Sequence, residues 1–232
     1  MLDNNILIMW RLVEMKVLIS GTSKGIGKAI AKYFLKQGHE VYGLDVLKAS
    51  IKNDKYHHYI CDISKDKLPD IKDINILINN AGVQDSNDID VNLIGTIRVT
   101  KKYAFQKQIK SVLFNASASA RSGFEFPEYV ASKAGVVGYM KNVASELAKK
   151  YHAPVNAISL GGVITESNKP VMDDKQSWKK IMDATPMKKW MSLDEVCEWV
   201  YFLTVTNKSM TGQDILIDNG ELNLNNTFVW PK

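Results

Sequence analysis

The chain has 232 residues, 45% of them apolar and 24% charged, a globular balance long enough for one sizeable core and unlike a disordered tract. The net charge of +5 comes from scattered lysines without a basic block, which argues against a nucleic-acid partner and fits mild attraction for an anionic cofactor. Cys61 and Cys197 are far apart and lack metal-ligand spacing, so reduced thiols in a cytoplasmic protein and no metal site are expected.

The apolar segment Ile6 to Val13 is too short to span a membrane, and it lacks the basic start and small-residue cleavage site of a signal peptide. No membrane partner is expected. Residues 1–14 read as an N-terminal extension without a catalytic role, and 15–232 as one domain.

Lys16 to Ser20 reads as a short buried strand that runs into Gly21-Thr-Ser-Lys-Gly25-Ile-Gly27, with an amphipathic helix to about Gln37 ended by Gly38. Strand, glycine turn and helix form a phosphate-binding arrangement: glycines let the backbone approach a pyrophosphate, and the helix N-terminus supplies N–H groups and partial positive charge. The expected cofactor-facing residues here are Gly21, Ser23, Lys24, Gly25, Ile26 and Gly27. The spacing is GxxxGxG, distinct from GxGxxG.

Glu40 to Asp45 is the second strand, with Asp45 at its tip, 24 residues after Gly21, where a carboxylate accepts from the adenosine ribose hydroxyls and repels a 2′-phosphate. That favours NAD. Lys24 pulls toward NADP by pairing with such a phosphate, and Asp45 also has the plainer reading of a turn cap. His57 to Ile60 reads as a third strand leading to Asp62 and Ile63, with Asp62 placed to accept from an adenine amino group. A brief Lys-rich helix is expected before the fourth strand, Ile74 to Ile78, which ends in Asn79-Asn80-Ala81-Gly82, small enough for the cofactor to approach the backbone. A helix over 89–107 carries Asn92 on an apolar stretch, either a structural hydrogen-bonder or part of a polar relay.

Ser111 to Asn115 is the fifth strand and delivers Ser117 at its C-terminal end, where open α/β sheets bind ligands. A long helix from about Pro127 to Lys150 follows. Tyr129 and Lys133, one helical turn apart, project from one face, and a fixed ammonium beside a phenol favours the phenolate. Tyr129 is thus a candidate proton donor and acceptor, with Ser117 holding the substrate oxygen. Pro154 to Ser159 is strand six. Residues 161–190 lack strand periodicity and read as a mobile cover containing Trp178, Met182, Met187 and Trp190. A helix over about Leu193 to Thr204 and a strand Asp214 to Ile217 complete one doubly wound parallel sheet of about seven strands, a Rossmann-type α/β fold.

With these pieces in place, residues 16–220 resemble the short-chain dehydrogenase/reductase family. The glycine turn, Asn79-Asn-Ala-Gly82, Tyr129-Val-Ala-Ser-Lys133, Val155-Asn-Ala157, Thr211-Gly-Gln213 and Asp218-Asn-Gly220 match its motifs in order. The resemblance implies an NAD(P)-dependent oxidoreductase acting on a small alcohol/carbonyl substrate, as a homodimer or homotetramer. Tyr129 would be the acid/base, Lys133 would hold the nicotinamide ribose and lower the phenol, Ser117 would orient the substrate oxygen with Ser119 as the alternative, and Asn92 would support a water-linked relay. Thr165 and Val163 would meet the nicotinamide carboxamide, and Asn80, Ala81 and Gly82 would line the cofactor. The fold also allows a non-catalytic cofactor sensor or scaffold. Two intervals are shorter than the family's: 16 residues between Asp62 and Asn79, and nine between Gly82 and Asn92.

Overall fold

Residues 14–224 are described by the computed structural model; all of the N-terminal extension except Glu14, and the tail beyond 224, lie outside the described residues. Seven parallel strands form one sheet: β1 (Lys16–Ser20), β2 (Glu40–Asp45), β3 (Tyr56–Ile60), β4 (Ile76–Asn79), β5 (Ser111–Asn115), β6 (Val155–Leu160) and β7 (Asp214–Ile217). Their order is β3-β2-β1-β4-β5-β6-β7, the expected doubly wound arrangement, with the order reversing next to β1.

The helices are α1 (Gly25–Lys36), α2 (Thr96–Tyr103), α3 (Ser119–Ser122), α4 (Pro127–Tyr151), α5 (Lys169–Asp173), α6 (Lys175–Ala184) and α7 (Leu193–Tyr201). Successive strand residues point to opposite sides, and both sides are covered. Leu18, Leu77, Val112 and Phe114 pack with Val99, Tyr103, Met140 and Val143 of α2 and α4. Val17, Ile19, Ile76 and Ile78 pack with Ile30 and Phe34 of α1 and Val196 and Val200 of α7. Phe34 is fully buried, a burial that stabilises by roughly 1.5–3 kcal/mol.

Three expectations need correction, and residues 161–190 gain detail. No helix lies between β3 and β4. Residues 65–75 cross beneath α2 in irregular backbone, whose carbonyls accept from side chains: Arg98 bonds Ile63 and Asp66, Lys102 bonds Leu68, and the Tyr103 hydroxyl bonds Pro69. The helix carrying Asn92 is two pieces, a π-helix at Ile89–Gly95 followed by α2, and it stops at Tyr103, short of Lys107. Residues 161–190 are largely helical, holding a 3-10 turn at Glu166–Asn168, α5 and α6, with Trp178 edge-on to Trp190 at 5.0 Å. The seventh helix converts to a π-helix at Phe202–Thr206.

Candidate active site

The site is assembled at the C-terminal ends of β1, β4 and β5. Gly21 has φ +77°, and a Cβ there would stand 2.8 Å from the Ala81 Cα; at Gly27 a Cβ would lie 1.8 Å from the Gly21 carbonyl oxygen. Only glycine permits that close strand-to-helix turn. The Ser20 hydroxyl accepts from the N–H groups of Asn80 and Ala81, both at 3.0 Å, and the Asn80 amide donates to the Ser20 and Gly21 carbonyls. Asn115 in turn donates to the Asn80 side-chain oxygen at 3.0 Å. Asn80 therefore braces the glycine turn with its side chain.

The turn is tied to β2 as well. Asp45 is 9% exposed, and its carboxylate accepts from the Ser23 N–H at 2.8 Å and the Leu47 N–H at 2.9 Å. It caps its own turn, as the plainer reading has it, and it keeps further lone pairs for a ligand. Lys24 is exposed at the N-cap of α1. Gly25 has open space where a Cβ would stand, and with Ile164, Thr165, Glu166 and Lys169 it lines a cleft of about 480 Å³. The N-terminus of α1 on that cleft suits a pyrophosphate group, as does Lys169, whereas Glu166 and Asp173 on the same lining oppose an anion.

Asp62 is less available. Its Oδ1 accepts from the Ser64 N–H and hydroxyl, at 2.9 and 2.6 Å, and its Oδ2 pairs with Lys65 at 3.3 Å. The Ser64 hydroxyl bond holds the Asp62 carboxyl below its ordinary value. Ile63 packs against Gly95, and its carbonyl goes to Arg98. Val163 bridges to Met191 and accepts from the Asn168 amide at 2.9 Å; Thr165 follows it in extended backbone.

The candidate acid/base group stands at the start of α4. Tyr129, in the first turn of α4, shares a hydrogen bond with Ser117. Ser117 Oγ accepts from the Ser119 hydroxyl at 2.8 Å and the Ser119 N–H at 3.2 Å. Ser119 is the more deeply buried of the two and bonds Ser117, whereas Ser117 stands beside the Tyr129 phenol. Lys133 Nζ donates to the Asn115 carbonyl at 3.0 Å and lies 5.6 Å from the centre of the Tyr129 ring. The Asn115 Oδ1 is buried without a partner, an acceptor left over beside the site.

The electrostatics depart from the sequence expectation. Burial pushes the Tyr129 phenol above its usual value, Glu125 and Asp88 add to that, and the Ser117 hydrogen bond works against it. Burial also lowers the Lys133 ammonium, to about 8, with Asp88 opposing the fall.

Asn92 is 1% exposed and its amide is fully engaged. Its Oδ1 accepts from the Val83 N–H at 2.8 Å, and its Nδ2 donates to the Val83 carbonyl at 2.9 Å and to Ser132 Oγ at 3.0 Å. The side chain thus clamps the loop after Gly82 to α4 from within the π-helix at Ile89–Gly95. Asn92, Ser117, Tyr129 and Lys133 do converge. Asp88, Asn115 and Ser132 join them unannounced; the one hint in the sequence was Asp88 four residues before Asn92.

Residues 21–221 match the family described as enoyl-(acyl carrier protein) reductase. The chain belongs to the short-chain dehydrogenase/reductase family. Carbonyl reductase family member 4 of Xenopus laevis is 29% identical over 87% of this chain and 95% of that protein. A 4-hydroxyisoleucine dehydrogenase mutant, solved with NADH and succinate, superposes with a TM-score of 0.79 at 26% identity, covering 89% of this chain and 98% of that one. A putative 2-deoxy-D-gluconate 3-dehydrogenase from Agrobacterium tumefaciens, solved with NADP, gives 0.77 at 26% identity over 90% and 97%. As a member of this family the chain is an oxidoreductase, and among its described residues no helix is long and apolar enough to cross a membrane and no cluster suits a metal.

Proposed function

We propose that this short-chain dehydrogenase/reductase transfers hydride between a nicotinamide and the carbon of an alcohol/carbonyl pair, with Tyr129 handling the proton on oxygen. The observation that carries it is the convergence of the Tyr129 phenol with Ser117 on one side and the Lys133 ammonium on the other. The bound cofactor supplies the hydride donor or acceptor at C4. Ser117 holds the substrate oxygen by its hydroxyl, in an orientation set by Ser119. Tyr129 gives its proton to that oxygen in reduction and takes it back in oxidation, and the elevated phenol suits the donor role. Lys133, freed to swing from the Asn115 carbonyl, is the group to meet the nicotinamide ribose.

Gly21, Ser23, Lys24, Gly25, Ile26 and Gly27 form the pyrophosphate cradle in this reading, with Ala81 and Gly82 beneath the nicotinamide half and Thr165 and Val163 across the cleft. Asp45, buried at the β2 tip, supports NAD over NADP. The carbonyl reductase and the two dehydrogenases it resembles support an alcohol/carbonyl pair, while the family's description names an enoyl group, so no single substrate is assigned. Ala131, Ala134 and Gly138 lie along one exposed stretch of α4, which supports a homodimer or homotetramer through helix packing. Two unpaired, buried cysteines support a cytoplasmic setting.

The test is nicotinamide fluorescence on titrating NADH and NADPH. Tighter NADH, with Asp45→Ala narrowing the gap, is expected; tighter NADPH in the wild-type protein would hand the choice to Lys24. Failure to bind either would overturn the reading.

A further inference from the structure

One buried carboxylate beside the site has no part in the hydride chemistry above. Asp88, 4% exposed, stands at the N-cap of the π-helix. Its Oδ1 accepts from the Asn92 amide at 3.4 Å and its Oδ2 from the Ser86 N–H at 3.2 Å. The same Asn92 nitrogen reaches Ser132 Oγ at 3.0 Å, and that hydroxyl donates to the Tyr129 carbonyl at 2.7 Å. Asp88 is therefore joined by three polar contacts to the backbone of the catalytic helix.

Asn92 and Lys133 also meet at one point. A Cβ on Gly82 would stand 3.1 Å from Asn92 Oδ1 and 3.4 Å from Lys133 Nζ. The nine-residue interval after Gly82 bends back sharply, through left-handed backbone at Asp85 and Asn87, and delivers Asp88 against Asn92, which borders Gly82 together with the Lys133 ammonium. An isolated buried carboxylate is costly, and so is an isolated buried ammonium; placed near one another, each offsets the other's cost.

We propose that Asp88 is a positioning residue of the active site, a fixed counter-charge to the Lys133 ammonium that also orients the Asn92 clamp. The charged groups facing the acid/base pair are Asp88 from the π-helix, Glu125 from the loop before α4, which acts on Tyr129, and Lys133 itself. Asp88 opposes the fall that burial imposes on Lys133 and adds to the rise at Tyr129. Removing its charge therefore lowers both protonation midpoints.

Two variants separate charge from hydrogen bonding. Asp88→Asn keeps an oxygen for the Asn92 amide and deletes the charge, whereas Asp88→Ala deletes both. The direct readout is the side-chain titration of lysines in 13C-lysine-labelled full-length protein, with the Lys133 signal identified by its loss in Lys133→Arg. In Asp88→Asn the Lys133 midpoint is expected to move below the wild-type value of about 8. In turnover, both limbs of the pH profile move to lower pH with the cofactor KM unchanged, while Asp88→Ala also weakens cofactor binding. An unmoved Lys133 midpoint in Asp88→Asn overturns the proposal, whether or not Asp88→Ala folds. The turnover arm rests on the oxidoreductase reading, but the titration does not. An inactive wild-type protein whose Lys133 midpoint still shifts in Asp88→Asn would sink that reading and leave the counter-charge standing.

Discussion

Lys133 carries the largest electrostatic burden of any residue in the site. Its ordinary value of 10.5 falls to about 8 in the folded protein because burial disfavours the ammonium. Below pH 8 both folded and unfolded chains hold the proton, and the full penalty, on the order of 3 kcal/mol, is present. Between about 8 and 10.5 the unfolded chain binds more protons than the native one, so stability rises with pH across that window. Replacing Lys133 with Met removes this term. The wild-type urea midpoint should climb relative to Lys133→Met between pH 8 and 9.5, and two parallel curves would show that Lys133 is not perturbed. Tyr129 shifts the other way, but its effect begins only as the unfolded phenol ionises near 10. Burial of the Lys133 ammonium thus costs stability at the candidate site, the usual trade at an active site.

Among the elements, α7 has the clearest local rule. The Ser192 hydroxyl accepts from the Glu195 N–H at 3.2 Å while the Glu195 carboxylate accepts from the Ser192 N–H at 2.9 Å, a reciprocal capping box. Ser192→Ala should cost about 1 kcal/mol in urea unfolding and leave cofactor affinity unaltered; a loss of cofactor binding would mean that α7 communicates with the site. Most strands were readable as short β-branched or apolar runs punctuated by glycine or polar residues, and Ser111–Asn115 falls where the pattern puts it. The lysines after β3 look helical by propensity, but Pro69 and the aspartates around it oppose a helix. The backbone groups of that stretch are instead satisfied from a distance by Arg98, Lys102 and Tyr103, contacts that no local pattern encodes. In the site, Tyr129 and Lys133 were legible from helical spacing, and Gly21 to Gly27 from the turn. The direction of the phenol's shift was not, because it depends on burial and on Asp88 and Glu125 arriving from separate segments.

On the scale of the molecule, the sheet order sets the ends of β1, β4 and β5 side by side, and α4 brings Lys133 to the end of β5 and Tyr129 beside it. The exposed small residues of α4, with Ile89 at 37% and Ile94 at 41% exposure on the neighbouring π-helix, leave an outer face suited to a second copy. Light scattering at micromolar concentration should give a dimeric or tetrameric mass; a monomer would remove that assignment. The central claim is narrower, that Tyr129 transfers the proton while the rest of the chain binds and positions. The measurement that tests it is turnover of the wild-type protein and Tyr129→Phe on a panel of alcohols and carbonyls, with NADH binding followed by fluorescence in the same samples. The account predicts that Tyr129→Phe binds NADH nearly as the wild type does and turns over nothing. Turnover surviving in Tyr129→Phe would contradict it.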